Sequence, residues 1–315
     1  MTPQQEILQL GCSVNMGNTL EAPRDGDWGF TIKPDHLNLI AEAGFRAVRI
    51  PIRWSAHAAS LEPFAIEPAF FARIDEVVDW ALARGLAVVL NIHHYEEMAR
   101  EPRAQEPRFL ALWQQIASHF SAAPAGFFFE LLNEPNGACD TGLWGQLAAK
   151  VIPIIRQSNP DRPLILGGGN WNAGDQLPLL TLPDDPRLIA TFHYYQPFQF
   201  THQGAEWMPG SEAWLGTTWS ATEAQCAQIV ADFDAVGAWS RQVNVPIFLG
   251  EFGAYSRAPQ SSRLAWTRFV RQQAQARGFG WAYWEFAAGF GLYDRTAGRW
   301  REDLLGALLN DGADG

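Results

Sequence analysis

From residue 33 onward the chain alternates amphipathic segments with short apolar runs rich in Val, Ile and Phe, and only a fold built of repeated βα units satisfies that rhythm. Phe70, Phe71, Ile74, Val77, Val78, Ala81 and Leu82 recur at helical spacing, Gly85 suits a C-terminal cap, and Leu86 to Ile92 reads as the next strand. Pro34 and Gly44 bracket Leu37, Ile40 and Ala41 in the same way. Continued along the chain, this reading predicts strands near 9–15, 45–50, 86–92, 126–132, 163–168, 188–193, 246–250 and 280–284. Helices are expected near 34–43, 68–84, 106–120, 143–158, 222–241 and 261–277, with a short one near 173–180 and a last one near 301–309.

Eight strands, each followed by a helix and with no Pro/Gly/Ser-rich linker, point to a closed (β/α)8 barrel, with an open doubly wound sheet as the structural alternative. At 315 residues the chain suits one such barrel as a single domain over 1–315. The Gly167-Gly168-Gly169 run lacks the spacing of a nucleotide-binding loop and reads as a turn after a strand.

Composition narrows the function. A net charge of −11 and the absence of any basic run argue against a nucleic-acid partner, since phosphate backbones are bound by clustered Lys and Arg. No run approaches membrane-spanning length, and the first residues lack the basic and apolar regions of a signal peptide. Cys12, Cys139 and Cys226 are odd in number and without CxxC spacing, so neither a disulfide framework nor a zinc cluster is expected. Fourteen Trp residues are many for this length, enough that some are expected to face a ligand.

Barrel enzymes keep their chemistry where strands end. Here Asn18 and Glu21 follow the first strand, Arg49 ends the second, His93 and His94 the third, Asn133 and Glu134 the fourth. Asn170 and Trp171 end the fifth, His193 and Tyr195 the sixth, Glu251 the seventh and Trp284 the eighth. Any one of these is readily a helix cap or a satisfied rim residue, but eight strand ends delivering polar or aromatic groups to one rim is not explained by capping.

The constellation strongly resembles glycoside hydrolase family 5, the endoglucanase and mannanase family of retaining (β/α)8 glycosidases. The resemblance covers nearly the whole chain and rests on Gly17-Asn18-Thr19-Leu20-Glu21-Ala22-Pro23, Val48-Arg49-Ile50-Pro51, Asn91-Ile92-His93-His94-Tyr95 and Leu132-Asn133-Glu134-Pro135. It continues through His193-Tyr194-Tyr195, Gly250-Glu251-Phe252-Gly253 and Trp281-Ala282-Tyr283-Trp284-Glu285.

The resemblance implies Glu134 as general acid/base and Glu251 as nucleophile, with carboxyl groups about 5–5.5 Å apart as in a retaining site. Arg49 is the neighbour expected to keep Glu251 ionised and Tyr195 a hydrogen-bond donor to it, while the charge of Glu251 should raise the pKa of Glu134. Asn133 is implied at the sugar 2-hydroxyl, and Asn18, Glu21, Arg49, His93, His94, Trp171, His193, Tyr195, Trp207 and Trp284 complete the substrate-binding set. Trp284 is the expected platform beneath the sugar ring. Of Trp28, Trp171, Trp207, Trp214 and Trp219 in strand-end loops, roughly half are expected to touch substrate, and Trp80, Trp113 and Trp266 to pack.

The implied partner is a β-linked glucan or mannan polysaccharide or oligosaccharide, met by a monomer, with no cofactor and no metal. Cellulose-type β-1,4-glucan is the first expectation and β-1,4-mannan, glucomannan or xyloglucan the next. Two rivals remain at this point: a metal-dependent barrel hydrolase using His93, His94 and His193, and a non-catalytic glycan-binding protein. The first lacks a His-x-His pair on strand one, where Asn15 and Asn18 stand.

Overall fold

A computed structural model describes residues 2–310. Eight parallel strands close into a barrel in sequence order: β1 (Ser13–Asn15), β2 (Ala47–Ile50), β3 (Ala87–Asn91), β4 (Phe127–Glu130), β5 (Leu164–Gly167), β6 (Leu188–Tyr194), β7 (Ile247–Phe252) and β8 (Gly280–Tyr283). Pairing of Ser13 with Ala282 and of Val14 with Tyr283 shuts the seam between β1 and β8. The predicted (β/α)8 barrel is therefore the fold, and the open sheet is not.

Seven longer helices surround the strands: α1 (Pro34–Ala43), α2 (Pro68–Leu82), α3 (Pro102–His119), α4 (Thr141–Arg156), α5 (Glu223–Val243), α6 (Gln260–Ala276) and α7 (Glu302–Leu309). Local chemistry sets their ends. Pro opens α1 and Gly44, in left-handed conformation, closes it; Asp140 and Thr222 cap α4 and α5 by accepting from Leu143 N and Gln225 N. The short helix expected near 173–180 is a 3-10 turn, Gly174–Leu179, and it follows a single turn at Gly169–Asn172 in the gap between β5 and β6. Near the C-terminus a small antiparallel pair, Tyr293–Asp294 with Arg299–Trp300, was not anticipated.

Side chains alternate along each strand, so every second residue enters the barrel. Outward-facing Val14, Val48, Leu90, Phe129 and Leu249 join the helices in the large core. Inward-facing Ala47, Val89, Phe128, Ile165, Ile189, Phe248 and Ala282 form a separate apolar layer that contains Ile7 and Leu10 as well. That membership corrects the first predicted strand. Only Ser13–Asn15 is extended, and Ile7–Leu10 coils into a 3-10 turn that plugs the barrel floor. Two apolar residues three apart served an interior that no helix reaches, and a strand reading could not register it.

One layer higher the barrel interior changes character. Continuing the same alternation brings Asn15, Arg49, Asn91, Glu130 and Thr191 inward, all fully buried, with Gly167 on β5 and Gly250 on β7. A polar layer over an apolar one thus lies directly beneath the C-terminal rim.

Truncating Leu10 to Ala should open a cavity under this stack and lower unfolding free energy by about 2–5 kcal/mol. Denaturant titration checks the loss, while KM for a soluble substrate should stay at its parent value because the rim is untouched.

Candidate active site

The strand ends converge on one cation. Arg49, fully buried on β2, donates all five of its N–H groups. Nε and Nη2 hold Glu130 Oε2 and Oε1 at 2.5 and 2.8 Å; Nη1 reaches Asn15 Oδ1 at 2.8 Å and Glu251 Oε1 at 2.7 Å; Nη2 also meets Asn133 Oδ1 at 2.7 Å. Burial works against its charge, but the carboxylates of Glu130 and Glu251 outweigh that and push its pKa up.

Glu251 is placed by a β-bulge. Phe192 pairs with Leu249, yet the next residue, His193, pairs with Glu251, so Gly250 is the extra residue on β7. The bulge turns the Glu251 carboxylate toward the barrel axis, where Arg49 holds Oε1 and the Tyr195 hydroxyl donates to Oε2 at 2.9 Å. Asn15 Nδ2 fastens the bulge through the Gly250 carbonyl at 3.0 Å.

Glu134 follows β4 in left-handed conformation, φ 48°, and meets a different partner, His193 Nδ1, at 2.7 Å from its Oε1. One oxygen of Glu134, one of Glu251 and a nitrogen of His193 lie within 4.8 Å of one another. These atoms could also hold a cation; Arg49 already supplies a fixed positive charge at Glu251.

The two carboxyl groups differ in environment. Burial pushes Glu134 up to about 7, with the Arg49 charge pulling back and that of Glu130 pushing further. Burial raises Glu251 as well, opposed by His193 and Arg49 and assisted by Glu134. The charge of Glu251 was the expected cause of a raised Glu134; desolvation leads instead, and Glu130 adds a neighbouring negative charge.

Above this centre opens a cleft of about 670 Å³ that gathers Asn18, His93, His94, Glu134, Tyr195, Trp207, Glu251 and Trp284. An adjoining hollow of about 390 Å³ adds Asn133 and Trp171 beside Glu134. Trp284 packs its ring edge on Gly17, where a Cβ would approach to 2.8 Å, and lies parallel to His93 at a centroid distance of 5.9 Å. Asn133 gives its oxygen to Arg49 and so keeps its amide NH2 for a ligand. Burial lowers the pKa of His93 well below the ordinary imidazole range, and Asn91 Nδ2 faces its Nδ1 at 3.2 Å, so a neutral ring turns Nε2–H outward.

Two sequence-assigned binding residues, Arg49 and His193, lie outside the cleft lining, and Glu21 is turned back on its own loop. Arg49 sits beneath the cleft floor and touches Glu251, not the cleft. Glu21 borders the cleft but is fully buried, its carboxylate accepting from the backbone N–H groups of Asn18 and Thr19, so it staples the loop after β1. His193 is buried against Glu134 and behind the cleft wall. Among the loop tryptophans Trp28 and Trp207 line the cleft and Trp171 the adjoining hollow, whereas Trp219 is buried and Trp214 lies edge-on to Phe198. Sequence reasoning missed Glu130, His202, Tyr255 and Phe290. For Glu130 the signal was available, an acid ending the run Phe127-Phe128-Phe129 at an inward position opposite a strand arginine.

A family model described as "Cellulase (glycosyl hydrolase family 5)" matches residues 10–289. The chain belongs to this family. The family member is 35% identical to Endoglucanase H of Acetivibrio thermocellus over 98% of its own length, and spans about a third (34%) of that longer relative. Among solved structures, endoglucanase Cel5A of Thermotoga maritima superposes with a TM-score of 0.96 at 45% identity, covering 98% of this chain and 100% of that one. The same Thermotoga protein has been solved with cellobiose and with mannotriose. A structure described as an endoglucanase gives a TM-score of 0.97 at 44% identity, covering 98% and 100% of the two chains. This chain is thus a glycoside hydrolase by family.

Replacing Glu130 with Gln leaves the buried guanidinium short of a charge partner and should cost about 3–5 kcal/mol in a urea titration. The same change removes negative charge near Glu134, so the Glu134 carboxyl, followed by carbon NMR, should titrate below the parent value of about 7.

Proposed function

We propose that this chain is an endo-β-1,4-glucanase that cleaves internal glucosidic bonds with retention of anomeric configuration. The observation that carries the reading is the pair of unequal carboxylates with oxygens within 4.8 Å, one clamped by Arg49 and Tyr195, the other set against His193. Retaining sites hold the two carboxyl groups about 5–5.5 Å apart, whereas inverting sites need roughly 6.5–9.5 Å to admit water. Endoglucanases among the relatives, over nearly all of this chain, support the glucan assignment.

In the first half-reaction Glu251 attacks the anomeric carbon while Glu134 gives its proton to the departing oxygen. Arg49 and Tyr195 fix the attacking oxygens, and the free NH2 of Asn133 meets the hydroxyl next to the reacting carbon. The two carboxyls repel each other, so esterification of Glu251 removes one negative charge and lets the pKa of Glu134 fall. Glu134 then takes a proton from the water that hydrolyses the ester, and Trp284 carries the sugar ring throughout.

β-1,4-Mannan is a second substrate on this reading, favoured by the mannotriose complex of the Thermotoga relative. The two sugars differ only in the direction of one hydroxyl. The acting species is a monomer on this reading.

Reducing-end release from carboxymethylcellulose, barley β-glucan, mannan, glucomannan and xyloglucan tests the substrate; hydrolysis of mannan with neither glucan cleaved would overturn the glucanase assignment. Azide should rescue Glu251→Ala with inverted product and Glu134→Ala with retained product. The pH profile follows from the two carboxyls. Glu134 donates only while protonated, so kcat/KM should fall as pH rises through about 7, and Glu251, raised from 4.5, must ionise first on the acid side.

A further inference from the structure

His193 is engaged at both ring nitrogens. Two carboxylates face Nδ1, Glu134 Oε1 at 2.7 Å and Glu251 Oε2 at 3.6 Å, and the Asn172 amide nitrogen faces Nε2 at 3.4 Å. Burial keeps the ring neutral, lowering its pKa to about 4 against the charge of Glu251 and with that of Arg49; Glu130 and His93 are the other titratable neighbours. A neutral imidazole carries one N–H, and the group opposite each nitrogen decides which one bears it. Acceptors at Nδ1 and a donor at Nε2 give the same answer.

We propose that Asn172 is a positioning residue that fixes His193 as the Nδ1–H tautomer, so that His193 donates to Oε1 of Glu134 and the transferable proton of Glu134 is held on Oε2. The proposal rests on the reading of Glu134 as the general acid. A proton on Oε1 would be turned toward His193, where it protonates nothing in the substrate. With Oε1 occupied by the His193 N–H, the acid presents its proton from its other oxygen.

The fold goes to some length to bring this amide to the ring. Asn170, Trp171 and Asn172 are three consecutive left-handed residues, φ 50°, 58° and 55°, and Ala173 then bridges to His193 backbone to backbone. Two glycines clear the space. A Cβ on Gly167 would strike Asn172 Oδ1, and one on Gly250 would come within 2.9 Å of His193 Nε2 and 2.8 Å of Thr191 Oγ1. Asn172 is fully buried, and its Oδ1 has no hydrogen-bond partner among the described residues. A buried amide with an unpaired oxygen is a poor packing residue, which leaves its contact with His193 as what it contributes.

Asn172→Asp is nearly isosteric and replaces the donor with an acceptor, drawing the hydrogen to Nε2 and leaving Nδ1 to compete for the proton of Glu134. On an aryl β-cellobioside with a poor leaving group, kcat/KM should drop roughly ten- to hundredfold, and on the 2,4-dinitrophenyl glycoside, which departs unprotonated, it should stay within about twofold. Nitrogen-15 spectra of the parent should show His193 protonated on Nδ1. Equal losses on both substrates, parent-like rates on both, or a parent ring protonated on Nε2 would each overturn the proposal. Glu134→Ala on the same two substrates separates this from the underlying reading: if that variant spares the poor leaving group, the acid assignment itself fails.

Discussion

A charged guanidinium inside a closed barrel is tolerated only if its charge is balanced and every N–H is accepted, and Arg49 meets both conditions. Its acceptors come from β1, β4, the loop after β4, and β7, so one side chain sets the relative positions of four staves. The charge count at this centre is also functional. Arg49 and Glu130 cancel, and an ionised Glu251 leaves one net negative charge buried beside Glu134. That surplus lasts only until Glu251 becomes an ester, after which the remaining pair is neutral. A nucleophile held by Arg49 alone would have been over-stabilised as an anion, and Glu130 divides that attraction.

The bulge at Gly250 is the geometric counterpart. In regular β7 the inward residues are Phe248 and Gly250, and Glu251 would point outward toward the helices. One inserted residue reverses that direction at the rim while leaving Phe248 in the apolar layer below. Glycine is needed because the space a side chain would fill belongs to Thr191 and His193. The same residue therefore aims the nucleophile and makes room for the ring that contacts the acid.

Most of this architecture was legible in the chain. The period of the α2 segment, the Pro34 and Gly44 brackets and the apolar runs announced the βα rhythm, because each is a local signature of burial. What escaped the sequence depends on which side of a strand faces inward and on contacts between distant segments. Leu10 read as strand because the barrel floor that buries it, together with Ile7, is formed by residues far along the chain. Glu21 read as a ligand because its position after β1 is right, and only the folded loop shows both oxygens turned back on Asn18 and Thr19. Glu130 stood in plain sight four residues before Glu134, but its role required pairing β4 with β3 and β3 with β2 to bring it beside Arg49.

The rim is where the barrel gives up stability. Asn18, His94, Glu134, Asn170, Trp171 and Asn172 all adopt left-handed backbone conformations although none is glycine, and all lie just beyond strand ends. Each such residue costs about 1–3 kcal/mol and persists only when its surroundings leave it no alternative. Two buried carboxylates clamp backbone at this rim: Glu21 on the loop after β1, where it holds Asn18, and Glu285 on the N–H groups of Ala287, Ala288 and Phe290 beside Trp284. Burial raises Glu21 to about 8 and Glu285 to about 7. A carboxyl whose folded pKa lies above its unfolded value of 4.5 contributes most below that value and loses its contribution as pH rises toward the folded one. Folding stability therefore falls as pH rises from 4.5 toward about 7 to 8, even though the backbone N–H groups favour the ionised carboxylates, and Glu134 loses its proton within that window, so the rim and the acid it presents share a pH limit that arises from one cause, carboxyl groups kept out of water.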